Sequence, residues 1–177
     1  MPAALRLDDS APPARRGPLG SLALVPLGVL GPFGGWILPT AYLVIPPVAG
    51  LHLTDRRAAE YLGVDGPRVA AALEWLVWLR AFGMLVEASP PLGDGRPLRL
   101  DVDAAGRPTA ATAMLRLVTG LPVALALFLA GLALVPAWLA GCAWLAVRGR
   151  LPGPVRAAHV GLLRAEAAFL ARHASLG

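Results

Sequence analysis

Two stretches without a formally charged residue, Gly17–Thr54 and Leu117–Val147, constrain this chain more than any other feature. A membrane span takes about 20 consecutive apolar residues to cross about 30 Å of hydrocarbon, and both stretches exceed that. Neither alternates with the period of two that a barrel strand requires. Two core helices of a soluble protein are the competing reading, but such helices rarely run so far without a charge. The expected fold class is therefore an all-α membrane protein.

Composition agrees. Of 177 residues, 56% are hydrophobic and 15% charged, against about 25% charged in soluble domains. The net charge of +5 comes from arginine alone, since the chain has no lysine. Arg15, Arg16, Arg56, Arg57, Arg148 and Arg150 flank the two apolar runs, where the positive-inside bias puts basic residues. A nucleic-acid partner would call for a basic stripe interleaved with aromatics, and none is present. The implied partner is the lipid bilayer, with a membrane-protein partner or a second copy of the chain beside it. Arginine in place of lysine, with much Ala, Gly and Pro, fits a GC-rich bacterial genome, so the expected location is the bacterial cytoplasmic (inner) membrane, multi-pass. Arg15-Arg16 before an apolar stretch resembles an export signal. That stretch is too long for an h-region and Asp8 and Asp9 precede it, so an uncleaved segment is expected.

The chain also repeats itself. Leu5-Arg6-Leu7-Asp8 recurs as Leu98-Arg99-Leu100-Asp101. Each copy is followed by a Pro-containing polar segment, an arginine, an apolar run, an arginine pair and a Gly-Pro (Gly66-Pro67, Gly153-Pro154), then a helical segment. This order divides the chain into a first repeat (1–87), a linker (88–97) and a second repeat (98–177). Each repeat is a short strand, a long hydrophobic segment and a further amphipathic or spanning helix. The two Leu-Arg-Leu-Asp segments alternate as half-buried strands do and are suited to pair with each other. Each run is either one span, kinked at Pro39 or Pro136, or a hairpin. Gly31-Pro32-Phe33-Gly34-Gly35 would turn the first hairpin and Gly131 the second.

Ionisable residues in a bilayer are costly and mark function by default. Glu74 and Arg80, in an apolar helix over 68–87 that carries Trp75 and Trp78, are the candidate intramembrane polar pair. Six positions separate them, so they do not face each other. If the helix lies in the interface instead, both charges snorkel to headgroups. The helix over 155–176 holds Arg156, His159, Arg164, Glu166, Arg172 and His173, too many for an easy crossing; it is expected in the interface or against the first half. His159, Glu166 and His173 recur every seven residues, about 10 Å apart. That is too far to share a metal, and the stripe reads as solvated or partner-facing. Cys142, the single cysteine, reads as a packing residue.

Gly149-Arg150-Leu151-Pro152 is similar to the Gly-Arg-Tyr-Pro signature of a duplicated bacterial membrane family, common in actinobacteria and catalogued as a domain of unknown function. Leu163-Arg164 and Phe169 resemble parts of that family's following Leu-Arg-Trp helix, with Ala165 where the family has Trp. Glu74-Trp75 and Arg80-Ala81-Phe82 are a looser likeness in the first half. Ser89-Pro90-Pro91-Leu92 with Leu98–Asp103 resembles the family's Tyr-Pro-Pro-Phe linker and strand. The resemblance implies a small multi-span membrane protein, and it carries over no catalytic residues.

No nucleophile elbow, phosphate loop or zinc-protease motif occurs. Asp8-Asp9 and Asp101/Asp103 are paired carboxylates in predicted strand or linker; Asp101 and Asp103 would share one strand face, a weak cue for cation binding. The expectation is no enzyme, no cofactor and no metal. A structural or accessory membrane protein, acting by helix packing or bilayer shaping, leads. The alternative is a small transporter or channel subunit with Glu74 or Arg80 on an aqueous path.

Overall fold

The computed structural model describes residues 4–7, 37–55, 57–87, 98–101, 108–174 and 176. The Arg15-Arg16 pair, the Gly31–Gly35 turn, Asp8, Asp9, Asp103, Arg56 and the 88–97 linker lie outside the described residues, as does the first half of the first apolar run.

The two Leu-Arg-Leu segments meet. Ala4–Leu7 (β1) and Leu98–Asp101 (β2) pair antiparallel, with Leu5 opposite Leu100 and Arg6 opposite Arg99. The remaining regular elements described are helical, chief among them α1 (Ile37–Asp55), α2 (Gly66–Gly83), α3 (Ala110–Thr119), α4 (Leu121–Ala133), α5 (Val135–Arg148) and α6 (Gly153–His173). A helical turn, Ala58–Glu60, runs into a five-residue π-helix, Tyr61–Asp65, and so links α1 to α2.

The second apolar run is broken into three helices, and neither break lies at Gly131. It starts inside α3, which is bent by 48° from α4 at a break beside Gly120. Gly131 lies within α4, and the next break falls at Leu134, with Pro136 in the first turn of α5. Proline lacks an N–H and is best tolerated in the first turn of a helix, and Pro122 and Pro136 each stand at a start. Thr109 caps α3 reciprocally with Thr112: Thr109 Oγ1 accepts from the Thr112 amide at 3.2 Å, and Thr112 Oγ1 accepts from the Thr109 amide at 3.0 Å. Among the described residues no single helix is long and apolar enough to cross a membrane, though the α3–α4 pair qualifies together. The halves therefore differ in their helices: α1 runs on through Pro46 and Pro47, where the second run is cut into three.

The centre of the bundle is α6, which packs against each of the other five helices and β1. Its buried face carries Val160, Leu162, Leu163, Ala167, Phe169, Leu170 and Ala171, with His159, Glu166 and His173 among them. These positions follow the i, i+3, i+4, i+7 spacing of one helical face. Tyr42, Leu73, Val77 and Ala81 from α1 and α2 close the same core. A second cluster joins Leu85, Trp138, Cys142 and Leu145, so Cys142 packs against neighbouring helices.

Candidate functional site

The charged stripe on α6 faces inward, which corrects the solvated reading. Glu166 meets Arg80 of α2 in a two-pronged ion pair, Arg80 Nε donating to Oε2 at 3.0 Å and Nη2 to Oε1 at 2.9 Å. The side chains are only 7% and 5% exposed. A fork matched to a carboxylate satisfies both groups in the geometry that strengthens such bonds, which a buried charge requires. Arg80 thus has its counter-charge on α6, eighty-six positions away, while Glu74, six positions earlier in α2, is half-buried.

His159, one heptad before Glu166, holds the end of α2. Its Nδ1 lies 2.8 Å from the Met84 carbonyl. A carbonyl only accepts, so Nδ1 carries the proton. Trp138 Nε1 donates to the Gly83 carbonyl at 2.9 Å. Directly after these clamps the chain turns through Leu85, the one described non-glycine residue with positive φ, at 63°. That conformation costs a leucine about 1–2 kcal/mol, and the two side-chain bonds hold it in place. Burial pushes His159 below its ordinary pKa, the Met84 bond partly opposes this, and the Arg80 charge adds to it.

His173, one heptad after Glu166, has both ring nitrogens against carbonyls, Phe169 at 2.7 Å and Arg116 at 3.1 Å. Two acceptors favour the cation, but burial and the nearby Arg116 and Arg172 act the other way, and the balance is a lowered pKa. Its ring also stacks on Phe169 at 4.0 Å between centroids, and both rings border Tyr42.

A different polar pair lies between α1 and α2. His52 Nδ1 is 3.2 Å from Asp65 Oδ2 in the π-helix. The Asp65 side chain is buried and His52 half-exposed. Tyr61 lies edge-on to His52 and donates to the Ala174 carbonyl at 2.8 Å. Burial, then the Asp65 charge, raises the Tyr61 pKa, so the phenol stays a donor. His52 and Tyr61 border a cavity of about 190 Å³ whose remaining lining is aliphatic.

The Gly149-Arg150-Leu151-Pro152 segment forms a joint between helices. Gly149 ends α5 at φ +67° with its amide on the Leu145 carbonyl; a Cβ is disfavoured there. Pro152 is the N-cap of α6, its carbonyl accepting from Arg156, and Arg150 is exposed between them. Arg164 points outward from α6 and Phe169 is buried. The motif stops one helix and starts the next.

Among the described residues no three His, Cys, Asp or Glu side chains converge as metal ligands would. Glu166 was legible as a partner for Arg80 only through its coincidence with Leu162, Leu163 and Leu170 on one helical face. His52 and Asp65 carried no signal, because they pair across a π-helix. Compared with known protein families, curated proteins and solved structures, the chain matches none.

Proposed function

We propose that this chain is an accessory protein of the bacterial cytoplasmic membrane, seated in the bilayer by an apolar outer surface and held together by a polar core. The observation that carries this reading is the outward face of α1, α3, α4 and α5. Leu43, Leu51, Leu115, Val118, Leu121, Leu125, Leu129 and Leu139 are exposed there, Val118 at 71% and Leu125 at 55%. Soluble monomers rarely expose contiguous apolar patches beyond a few hundred Å², and all four of these helices expose large apolar side chains. Trp144, half-exposed on α5, has the Arg148 guanidinium 5.4 Å above its ring, and a Trp–Arg pair at a helix end suits the headgroup layer. The α3–α4 pair, bent by 48°, fits a broken or re-entrant insertion, and α6, packed at the centre of the bundle, carries too many charges to be a crossing segment itself.

The transport alternative asks for Arg80 or Glu74 on an aqueous path. Arg80 is buried and engaged by Glu166, and this favours a structural pair. Duplication of the chain, and kinship with the family that the Gly-Arg-Leu-Pro joint resembles, belong to the same proposal and rest on sequence order.

Alkaline extraction of isolated membranes and maleimide labelling test it. In a Cys142→Ala background, single cysteines replace Gly63 and Gly153, where an added side chain meets nothing within 4 Å. The protein should stay in the pellet after alkali. Both sites lie beside arginine clusters, which the positive-inside bias holds in the cytoplasm. Both should therefore resist an impermeant maleimide in intact cells and react once the cells are opened. Protein released by alkali, or by lysis alone, refutes the membrane seat; labelling of one site only in intact cells refutes the single-sided arrangement and revives a spanning α2.

A further inference from the structure

We infer that the cavity between α1 and α2 is a slot for one acyl chain of a bilayer phospholipid, which enters sideways past Val44 and Val48 and leaves its headgroup outside.

The slot exists because α1 packs chiefly on α3 and α2 on α6, so that the facing sides of α1 and α2 leave a cavity of about 190 Å³ between them. Val44, Val48 and Ala49 line it from α1, and Val69, Leu73 and Leu76 from α2. Each set recurs at helical spacing, so the cavity follows both helices for about 11 Å, a length that suits a chain. Almost none of its surface is polar: His52 and Tyr61 meet it with ring carbon, the Tyr61 hydroxyl being turned to the Ala174 carbonyl. Bound water needs about two to four polar partners, and apolar cavities of about 150 Å³ stay dry and take up hydrocarbon. An alcohol, a carboxylate or an ion finds no partner here either. A hydrocarbon chain needs none. It restores the dispersion contacts that the lining of a void lacks, and leaving other lipid tails costs it no dehydration. The floor is buried, with Ala49 at 2% and Leu73 at 1% exposure, while Val44 and Val48 at the rim are exposed at 52% and 42%. Leu51, on the same face of α1, is exposed as well, so the rim is continuous with the apolar outer surface. That continuity identifies the occupant as lipid, and here the inference rests on the membrane reading above; the cavity and its hydrocarbon lining do not.

The full-length protein is reconstituted in phosphatidylcholine vesicles doped with phosphatidylcholine that carries a diazirine at the end of one acyl chain, and the photolabelled residues are mapped. The expected result is labelling of Ala49 and Leu73 on the buried floor as well as of Leu125 and Leu129 on the outer face of α4. Added decane should displace the floor labelling and leave that of α4, and a diazirine in the headgroup should reach neither floor residue. Ala72 lines the slot from an exposed position. Ala72→Leu should cut floor labelling about fivefold, the equivalent of about 1 kcal/mol of overpacking, while Ala72→Ser, barely larger than alanine, should leave it nearly unchanged. Labelling of α4 without the floor overturns the slot and spares the membrane seat. Floor labelling without α4 refutes the membrane seat, and with it the bilayer as source, while keeping the hydrocarbon cavity. Labelling of neither overturns both. Floor labelling that decane does not displace, or that Ala72→Leu and Ala72→Ser change alike, overturns a discrete chain site.

Discussion

The two helices α4 and α6 invert the usual relation between composition and position. Helix α6 carries Arg156, His159, Arg164, Glu166, Arg172 and His173, yet ten of its 21 residues are buried. Helix α4 is 13 residues of Leu, Ala, Val, Phe, Gly and Pro, and among them only Ala124 is buried. In water the hydrophobic effect would drive α4 inward. With lipid tails around the bundle that drive vanishes, and polar groups gain by finding one another inside. The contrast thus bears on the solvent the surface is built for as well as on the packing.

Breaking the inner half of that contrast should have the largest effect. Glu166→Ala removes the counter-charge of the buried Arg80 and should destabilise the protein by about 3–5 kcal/mol, as should Arg80→Met for Glu166. The double variant Arg80→Met/Glu166→Leu should recover most of the loss. Unfolding curves of the purified protein in detergent measure all three; equal losses in the double and single variants would show that the core needs the charges themselves.

The outer half is probed by Leu125→Arg. In a bilayer the change should cost about 2.5–3.5 kcal/mol and reduce the membrane-inserted fraction; in water a surface substitution of this kind stays within about 0.5 kcal/mol. Membrane fractionation beside detergent unfolding separates the two.

A sharper version sets two glycines against each other. A Cβ at Gly120, at the α3–α4 break, would sit 2.1 Å from His173 Nε2 and 2.8 Å from the Arg116 carbonyl. Gly120→Ala should cost about 1–3 kcal/mol by overpacking. Gly161, on the outer face of α6, has open space around it, and Gly161→Ala should gain about 0.4–1 kcal/mol. Paired thermal melts decide between them.

The smallest effect at neutral pH concerns the buried histidines. His159 and His173 have folded pKa values below the ordinary value of about 6.5. Below that value the unfolded chain binds more protons than the folded one, so stability rises with pH through this window and is lost on acidification. Melting temperature should fall between about pH 7 and pH 5. In His159→Asn, whose side-chain amide can still donate to the Met84 carbonyl, the fall should be shallower; an unchanged slope would exonerate His159.

Much of the local structure was legible in the residues. The Leu-Arg-Leu copies meet in the β1–β2 ladder, Gly149 and Pro152 punctuate α5 and α6, and the helices over 68–87 and 155–176 are observed with slightly different ends, α2 at Gly66–Gly83 and α6 at Gly153–His173. The breaks at Gly120 and Leu134 were less so: the apolar run around them is uniform, and the prolines after them permit a helix start or a kink alike.

What the sequence by itself determined was which segments are helical and apolar, because propensity, capping and charge exclusion act over a few residues. What only the tertiary structure decided was which face of each helix turned inward. Glu166 and Arg80 are eighty-six positions apart, and His52 and Asp65 pair across a π-helix whose five residues no composition announces. Such contacts depend on how helices cross, and a buried charge becomes tolerable only when its counter-charge arrives from another element.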